Sequence, residues 1–264
     1  MESFNYRKLA TGEHGRHNRS FNRNETGIFP FWMCMKNYKG FTLVEMLISL
    51  AVGMTVIAAV YAMVNVGQKS TANMERKVAA HQDARTALEI MSLEVQMASY
   101  NPRPDLTNAG FWVAPGNCTA SANQTYRGIQ QATGSSITIE MNLNGNGLIG
   151  DNPNESVTYT YDSANQRITR SLDCGSGIKP FLGDVPGNPR AVRVINTGDV
   201  PVFRYFDAQG TEITSASLPA GIPDIARIDI TLWVETEDKD MNSGLRRKMI
   251  YSTSVIPRNH VITR

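Results

Sequence analysis

The sequence predicts an α+β protein: one long N-terminal α-helix, membrane-spanning in its first half and amphipathic in its second, packed on an antiparallel β-sheet head. Three observations carry this prediction. Met46 to Val64 contains nineteen residues without a charge. No proline interrupts Phe41 to Tyr100. Beyond Pro104 the apolar residues recur at every second position instead of every third or fourth. At 264 residues, 41% apolar and 19% charged, the chain is long enough for a sizeable core and too apolar to be disordered. Its formal charge of +2 gives no sign of a general nucleic-acid binder.

Residues 1 to 40 read as a basic leader. They hold seven Lys and Arg against three Glu, a formal +4, and their Asn-, Arg- and Gly-rich composition has little periodicity. Residues 41 to 66 form the apolar half of the helix, roughly 39 Å long at about 1.5 Å per residue, against a hydrocarbon core of about 30 Å. Basic residues flanking a span mark its cytoplasmic side, which places everything after it outside the cytoplasm. Asn65 to Lys69 offer no small-residue cleavage pattern, so the span stays with the mature chain. One carboxylate, Glu45, interrupts its entry; a charge there needs a partner and is a functional candidate on that ground.

Lys39-Gly40-Phe41-Thr42-Leu43-Val44-Glu45-Met46-Leu47-Ile48-Ser49-Leu50 resembles the class III signal of type IV pilins and type II secretion pseudopilins. The resemblance implies cleavage by a prepilin peptidase between Gly40 and Phe41, N-methylation of Phe41, and a role for Glu45 in filament assembly. There the carboxylate meets the positive N-terminus of a neighbouring subunit. Forty residues is long for such a leader. Met35 offers an alternative start, leaving Met35 to Gly40 as a short basic leader and residues 1 to 34 as a start-site artefact.

Residues 67 to 100 continue the helix as an amphipathic segment. Met74, Val78, His81, Ala84, Leu88, Met91, Val95 and Ala98 recur at spacings of three or four, and Asn101-Pro102-Arg103-Pro104 ends the pattern. One helix of sixty residues, roughly 90 Å long, follows, with Gly53 and Gly67 as its weak points. His81 falls on the apolar side and reads as a packed, hydrogen-bonded histidine. Gln82 to Met91 and Val255 to Asn259 resemble segments of the PilW group of minor pilins.

Residues 101 to 264 read as a β-rich head. Ile137 to Leu143, Val157 to Tyr161, Ile168 to Leu172, Val202 to Phe206, Ile225 to Glu237 and Arg246 to Ile256 are strand candidates, with a turn at Asp162 to Asn165. Glu237-Asp238-Lys239-Asp240 and Arg246-Arg247-Lys248 flank Asn242-Ser243-Gly244 as a hairpin end with opposite charges across it. Asn142 to Asp151 resembles a degenerate calcium loop whose candidate ligands are Asn142, Asn144, Asn146 and Asp151. Its twelfth place, where a bidentate Glu belongs, is Pro153, and Glu155 comes two residues late, so a Gly-Asn turn is the simpler reading and no other cofactor is indicated.

No nucleophile elbow or phosphate loop is present, and the mature chain has only His81 and His260, which argues against an enzyme. Arg190, Arg193 and Arg204 with Phe203 and Tyr205 are too dispersed for a clear nucleic-acid site. The resemblance implies a bacterial minor pilin. It would sit in the inner membrane as a single-pass subunit with its N-terminus cytoplasmic and its head periplasmic, then move to an extracellular pilus. Its partners would be other major and minor pilins, the prepilin peptidase and the inner-membrane assembly platform. A J-type pseudopilin shares the architecture; a filament-displayed module for DNA or surfaces and an anchored periplasmic enzyme are the readings from other classes. Cleavage removes Cys34 and leaves Cys118 and Cys174 in an oxidising compartment, where a disulfide between them is the expectation and two separate buried thiols are the alternative. Denatured mature protein should therefore take up no thiol label until reduced, read by intact mass; labelling of both cysteines without reduction would exclude the bond.

Overall fold

The computed structural model describes residues 40–106, 110–114, 117–121, 123–172, 176–183, 192–241 and 243–261, with the backbone alone described at 106, 117–121, 176 and 261. The chain divides into two units, Met1–Val56 and Ile57–Arg264. Helix α1 (Leu43–Gln96) contributes its first residues to the first unit and its remainder to the second. In chain order there follow β1 (Val113–Ala114), β2 (Asn117–Ser121), β3 (Ile129–Ala132), β4 (Ser136–Glu140), β5 (Ser156–Asp162), β6 (Arg167–Leu172), β7 (Ser176–Gly183), β8 (Val192–Val194), β9 (Phe203–Phe206), β10 (Glu212–Ile213), β11 (Arg227–Thr236), β12 (Lys248–Val255) and a short α2 (Arg258–Val261).

The expected helix forms without a break at Gly53 or Gly67, but it is 54 residues long and stops before the prolines. Its end tightens through Met97 N–H to Glu94 C=O and Ala98 N–H to Val95 C=O bonds of 3.1 and 3.2 Å, and Ser99 turns left-handed at φ 65°. Within the second unit, Ala80, Ala84, Ala87, Leu88, Met91, Val95 and Ala98 are buried in one core with residues of both large sheets. Met74 and Val78, read from the sequence as part of that face, are 64% and 49% exposed. His81 is exposed as well, though hydrogen-bonded as expected, with its Nδ1 2.7 Å from the Tyr251 hydroxyl. The buried face begins at Ala80, where sheet residues first cover the helix.

One large sheet runs β3-β4-β5-β6-β7, the other runs β10-β9-β11-β12 with β8 also on β11, and β1 pairs with β2 in a third; among the described residues the pairings are antiparallel. Alternation on β11 is clean: Ile228, Ile230, Leu232 and Val234 are each fully buried, and β12 pairs with it in unbroken register from Val255 to Lys248. The charges across the β11–β12 end pair as expected, with Arg246 within 3.8 Å of Glu237 and Arg247 within 3.3 Å of Asp240; Asn242 lies outside the described residues. Strands β3, β7 and β8 carry no alternation strong enough to have been read from sequence.

Glu94 ties α1 to the first sheet. Its carboxylate accepts from Arg170 Nη2 at 2.5 Å and Nε at 3.2 Å, and from the Tyr159 hydroxyl at 2.5 Å. Burial, and then the Glu94 charge, push the Tyr159 hydroxyl well above the usual tyrosine range. Where the helix ends, Gly128 passes so close that a Cβ would collide with the Ser99 backbone and the Glu140 carbonyl.

On β4 both faces are buried. Ile137 and Ile139 point into the main core, while Thr138 shares a 2.9 Å hydroxyl contact with Thr158. Glu140 follows on the same polar face, fully buried; its Oε2 accepts from the Val113 N–H at 3.1 Å, and Oε1 has no partner among the described residues. Val113 belongs to a satellite cluster with Phe111, Trp112 and Ile149. Burial pushes the Glu140 carboxyl up to about 8. The unfolded chain ionises this group in the usual carboxylate range while the folded chain keeps its proton. Its contribution is thus complete at acidic pH and is lost as pH rises through about 8. The unfolding free energy from urea titration should fall between about pH 5 and 8 by up to about 1.4 kcal/mol per pH unit in the wild type. Glu140→Gln should flatten that slope, and equal slopes in the two proteins would contradict the assignment.

Candidate functional site

Gly40, Phe41 and Thr42 precede α1, and Glu45 lies in its first turn. A Cβ at Gly40 would meet nothing within 4 Å, so the fold itself does not require glycine there. Phe41 is 79% exposed. Thr42 stands at the position before the helix and Glu45 three residues on. The Glu45 N–H donates to Thr42 Oγ1 at 3.2 Å, and the Thr42 N–H donates to Glu45 Oε2 at 3.4 Å. This reciprocal pair is a capping box, satisfying donors that an N-terminal turn leaves without helical partners. The signature Thr42-x-x-Glu45 was legible in the sequence, masked by the attention the lone charge attracts.

Downstream, α1 contains a window long and apolar enough by composition to cross a membrane, none of it buried within the protein. Leu47, Ile48, Leu50, Val52, Val56, Ile57 and Val60 are each more than half exposed. The hydroxyls in this stretch turn back onto the helix: Ser49 donates to the Glu45 carbonyl at 2.7 Å and Thr55 to the Val52 carbonyl at 2.8 Å. Such back-bonding removes free polar groups from a surface with nothing else to offer them.

The loop read as a calcium candidate folds around a different centre. Glu155, fully buried, accepts from the N–H groups of Leu143, Asn144, Gly150 and Asn152 at 3.0 to 3.4 Å. The side-chain oxygens of Asn142, Asn144 and Asn146 accept from the N–H groups of Gly145, Asn146 and Leu148, each at 2.9 Å. Asp151 accepts from the amide groups of Asn144, at 3.3 Å, and Asn146. Hydrogen bonding to Glu155 holds the Asp151 carboxyl below the usual range, aided by Asn146 and Asn144; burial, and then Asp151, push Glu155 up. The buried carboxylate is thus taken up by backbone N–H groups, and the asparagine amide oxygens are engaged in turns. Among the described residues no group of three or more His, Cys, Asp or Glu is placed to hold a metal ion.

Other candidates separate. Cys174 lies outside the described residues and only the backbone of Cys118 is described, so their pairing falls outside as well. Arg190 also lies outside them. Arg193 pairs with Glu237, Arg204 donates to the Asp199 carbonyl at 3.1 Å, and Phe203 and Tyr205 are buried, so these residues form no stacking platform. Sequence reasoning missed the partners of His260. This buried ring places Nδ1 2.9 Å from Ser99 Oγ and Nε2 2.9 Å from the Ile222 carbonyl, while Ser99 Oγ accepts from the Gly128 N–H at 2.9 Å. Burial lowers the His260 pKa, consistent with a neutral ring that donates through Nε2 to Ile222 and accepts the Ser99 hydroxyl at Nδ1.

Residues 35–61 match the family described as the prokaryotic N-terminal methylation motif. No curated protein and no solved structure matches the chain. The motif spans the leader's basic end, the Gly40–Phe41 junction, the capped turn and the first part of the apolar helix. It supports a type IV pilin-like or pseudopilin protein, processed by prepilin peptidase and assembling with other pilins. For the 142–155 loop, calorimetry on the detergent-solubilised mature protein should give no heat with calcium up to millimolar concentration. Saturable heat that Asp151→Asn abolishes would restore the calcium assignment.

Proposed function

We propose that the chain is a minor pilin, a structural subunit that is anchored in the inner membrane before assembly and then joins a type IV pilus, near the tip or in its initiating complex. The observation that carries this reading is the coincidence of the methylation motif at 35–61 with a helix whose apolar first half has no cover within the protein. A soluble protein would bury such a face; a filament subunit exchanges lipid for neighbouring helices. The basic leader favours a cytoplasmic N-terminus and a periplasmic head.

On this reading the peptidase cuts after Gly40, Phe41 is N-methylated, and Glu45 docks against the N-terminus of a neighbouring subunit at the assembly platform. The segments Gln82 to Met91 and Val255 to Asn259 favour a PilW-like subunit. The alternative is a J-type pseudopilin, for which deletion would abolish protein secretion rather than twitching. Neither role is enzymatic.

Mature protein should co-purify with sheared pili and begin at an N-methylated Phe41 in N-terminal mass spectrometry. Glu45→Ala should still be cleaved but be recovered in filaments at least tenfold less. A different mature N-terminus, or normal incorporation of Glu45→Ala, would overturn the reading.

A further inference from the structure

Glu45 raises a storage problem that the docking role leaves open. Before assembly the chain waits in the membrane with a carboxylate at the entry to an apolar helix, and an unpaired charge there is strongly unfavourable. Something must hold the group until a neighbour arrives. Ser49 is one turn away, but its hydroxyl is committed to the Glu45 and Met46 carbonyls at 2.7 and 3.1 Å, not to the carboxylate. Thr42 makes the contacts that matter: its N–H reaches Glu45 Oε2 at 3.4 Å and its hydroxyl takes the Glu45 N–H at 3.2 Å.

We propose that Thr42 is the positioning residue for Glu45, holding the carboxylate over its own helix terminus in the unassembled chain so that docking exchanges an internal partner for an external one. The inference rests on the docking role assigned to Glu45. The physics favours the arrangement twice. The first N–H groups of a helix have no partner within it, and the positive end of the helix dipole attracts a carboxylate folded back on the first turn. Fixing the Glu45 N–H on the Thr42 hydroxyl holds that turn helical and keeps the carboxylate within reach. A chain without the hydroxyl would present Glu45 from a frayed turn, with its charge exposed to lipid.

Glu45→Gln separates the two roles, since glutamine also closes a capping box but carries no charge. The experiment uses the full chain with Thr42→Val, Thr42→Ser, Glu45→Gln and the double variant Thr42→Val/Glu45→Gln, with cleavage of each verified by N-terminal mass. Two readouts are taken on cleaved protein: amide hydrogen exchange of residues 42 to 46 in lipid nanodiscs, and recovery in sheared filaments. Thr42→Val should speed first-turn exchange about tenfold and lower filament recovery several-fold, and Thr42→Ser should restore both. Glu45→Gln should keep wild-type exchange while failing to assemble, and adding Thr42→Val to it should speed first-turn exchange as it does in the wild type, because the Thr42 hydroxyl caps the turn with or without the charge. Unchanged exchange or unchanged recovery in Thr42→Val, or failure of Thr42→Ser to restore both, would overturn the positioning role while leaving docking intact. Normal assembly of Glu45→Gln would instead overturn the docking reading, and this inference with it.

Discussion

One constraint governs the structure: a single helix must be complete in itself at one end and half of a core at the other. Only a helix that closes its backbone hydrogen bonds internally can lie bare in an apolar medium. That requirement explains the uninterrupted run through Gly53 and Gly67, the back-bonded Ser49 and Thr55, and the capped first turn. From Ala80 onward the same regular backbone offers small side chains on one face and receives the sheets. The change of surroundings is thus written in side chains alone, with no change of backbone geometry.

The head then depends on polar contacts placed where apolar packing gives no direction. Burial of the Ala80 to Ala98 face sets which side of the helix meets the sheets, and the two-pronged contact of Arg170 with Glu94 adds a directional restraint on its position along them. At the other margin, Asn73 accepts from the Met241 N–H at 3.1 Å and Arg76 reaches Asp238 at 3.3 Å, tying the helix to the loop after β11. Buried Glu140 takes the single N–H of Val113, and buried Glu155 gathers four backbone N–H groups of the 143–152 loop that no strand satisfies.

Legibility in the sequence followed the periodicity of each element. The helix and the β11–β12 pair were plain because long runs repeat one spacing, and Ile228, Ile230, Leu232 and Val234 fell inward as their alternation requires. The division into two sheets was not legible, since β3, β7 and β8 are short or polar and owe their place to neighbours. Met74 and Val78 misled because amphipathic spacing marks a face without saying how far the cover extends. Of the N-terminal site, Gly40, Phe41 and Glu45 were read from a motif, and Thr42, equally visible, needed geometry to give it a task. The pairing of Ser99 with His260, 161 residues apart, could come only from the fold.

That pairing has a mechanical meaning. The left-handed turn at Ser99 brings the end of α1, the start of β3 through Gly128 and the short C-terminal helix through His260 onto one hydroxyl. Arg127 adds a bond to the His260 carbonyl at 2.5 Å. A pull along the helix therefore does not unzip the head one strand at a time. It loads three distant parts of the chain together. His260 acts as a rivet for the first element.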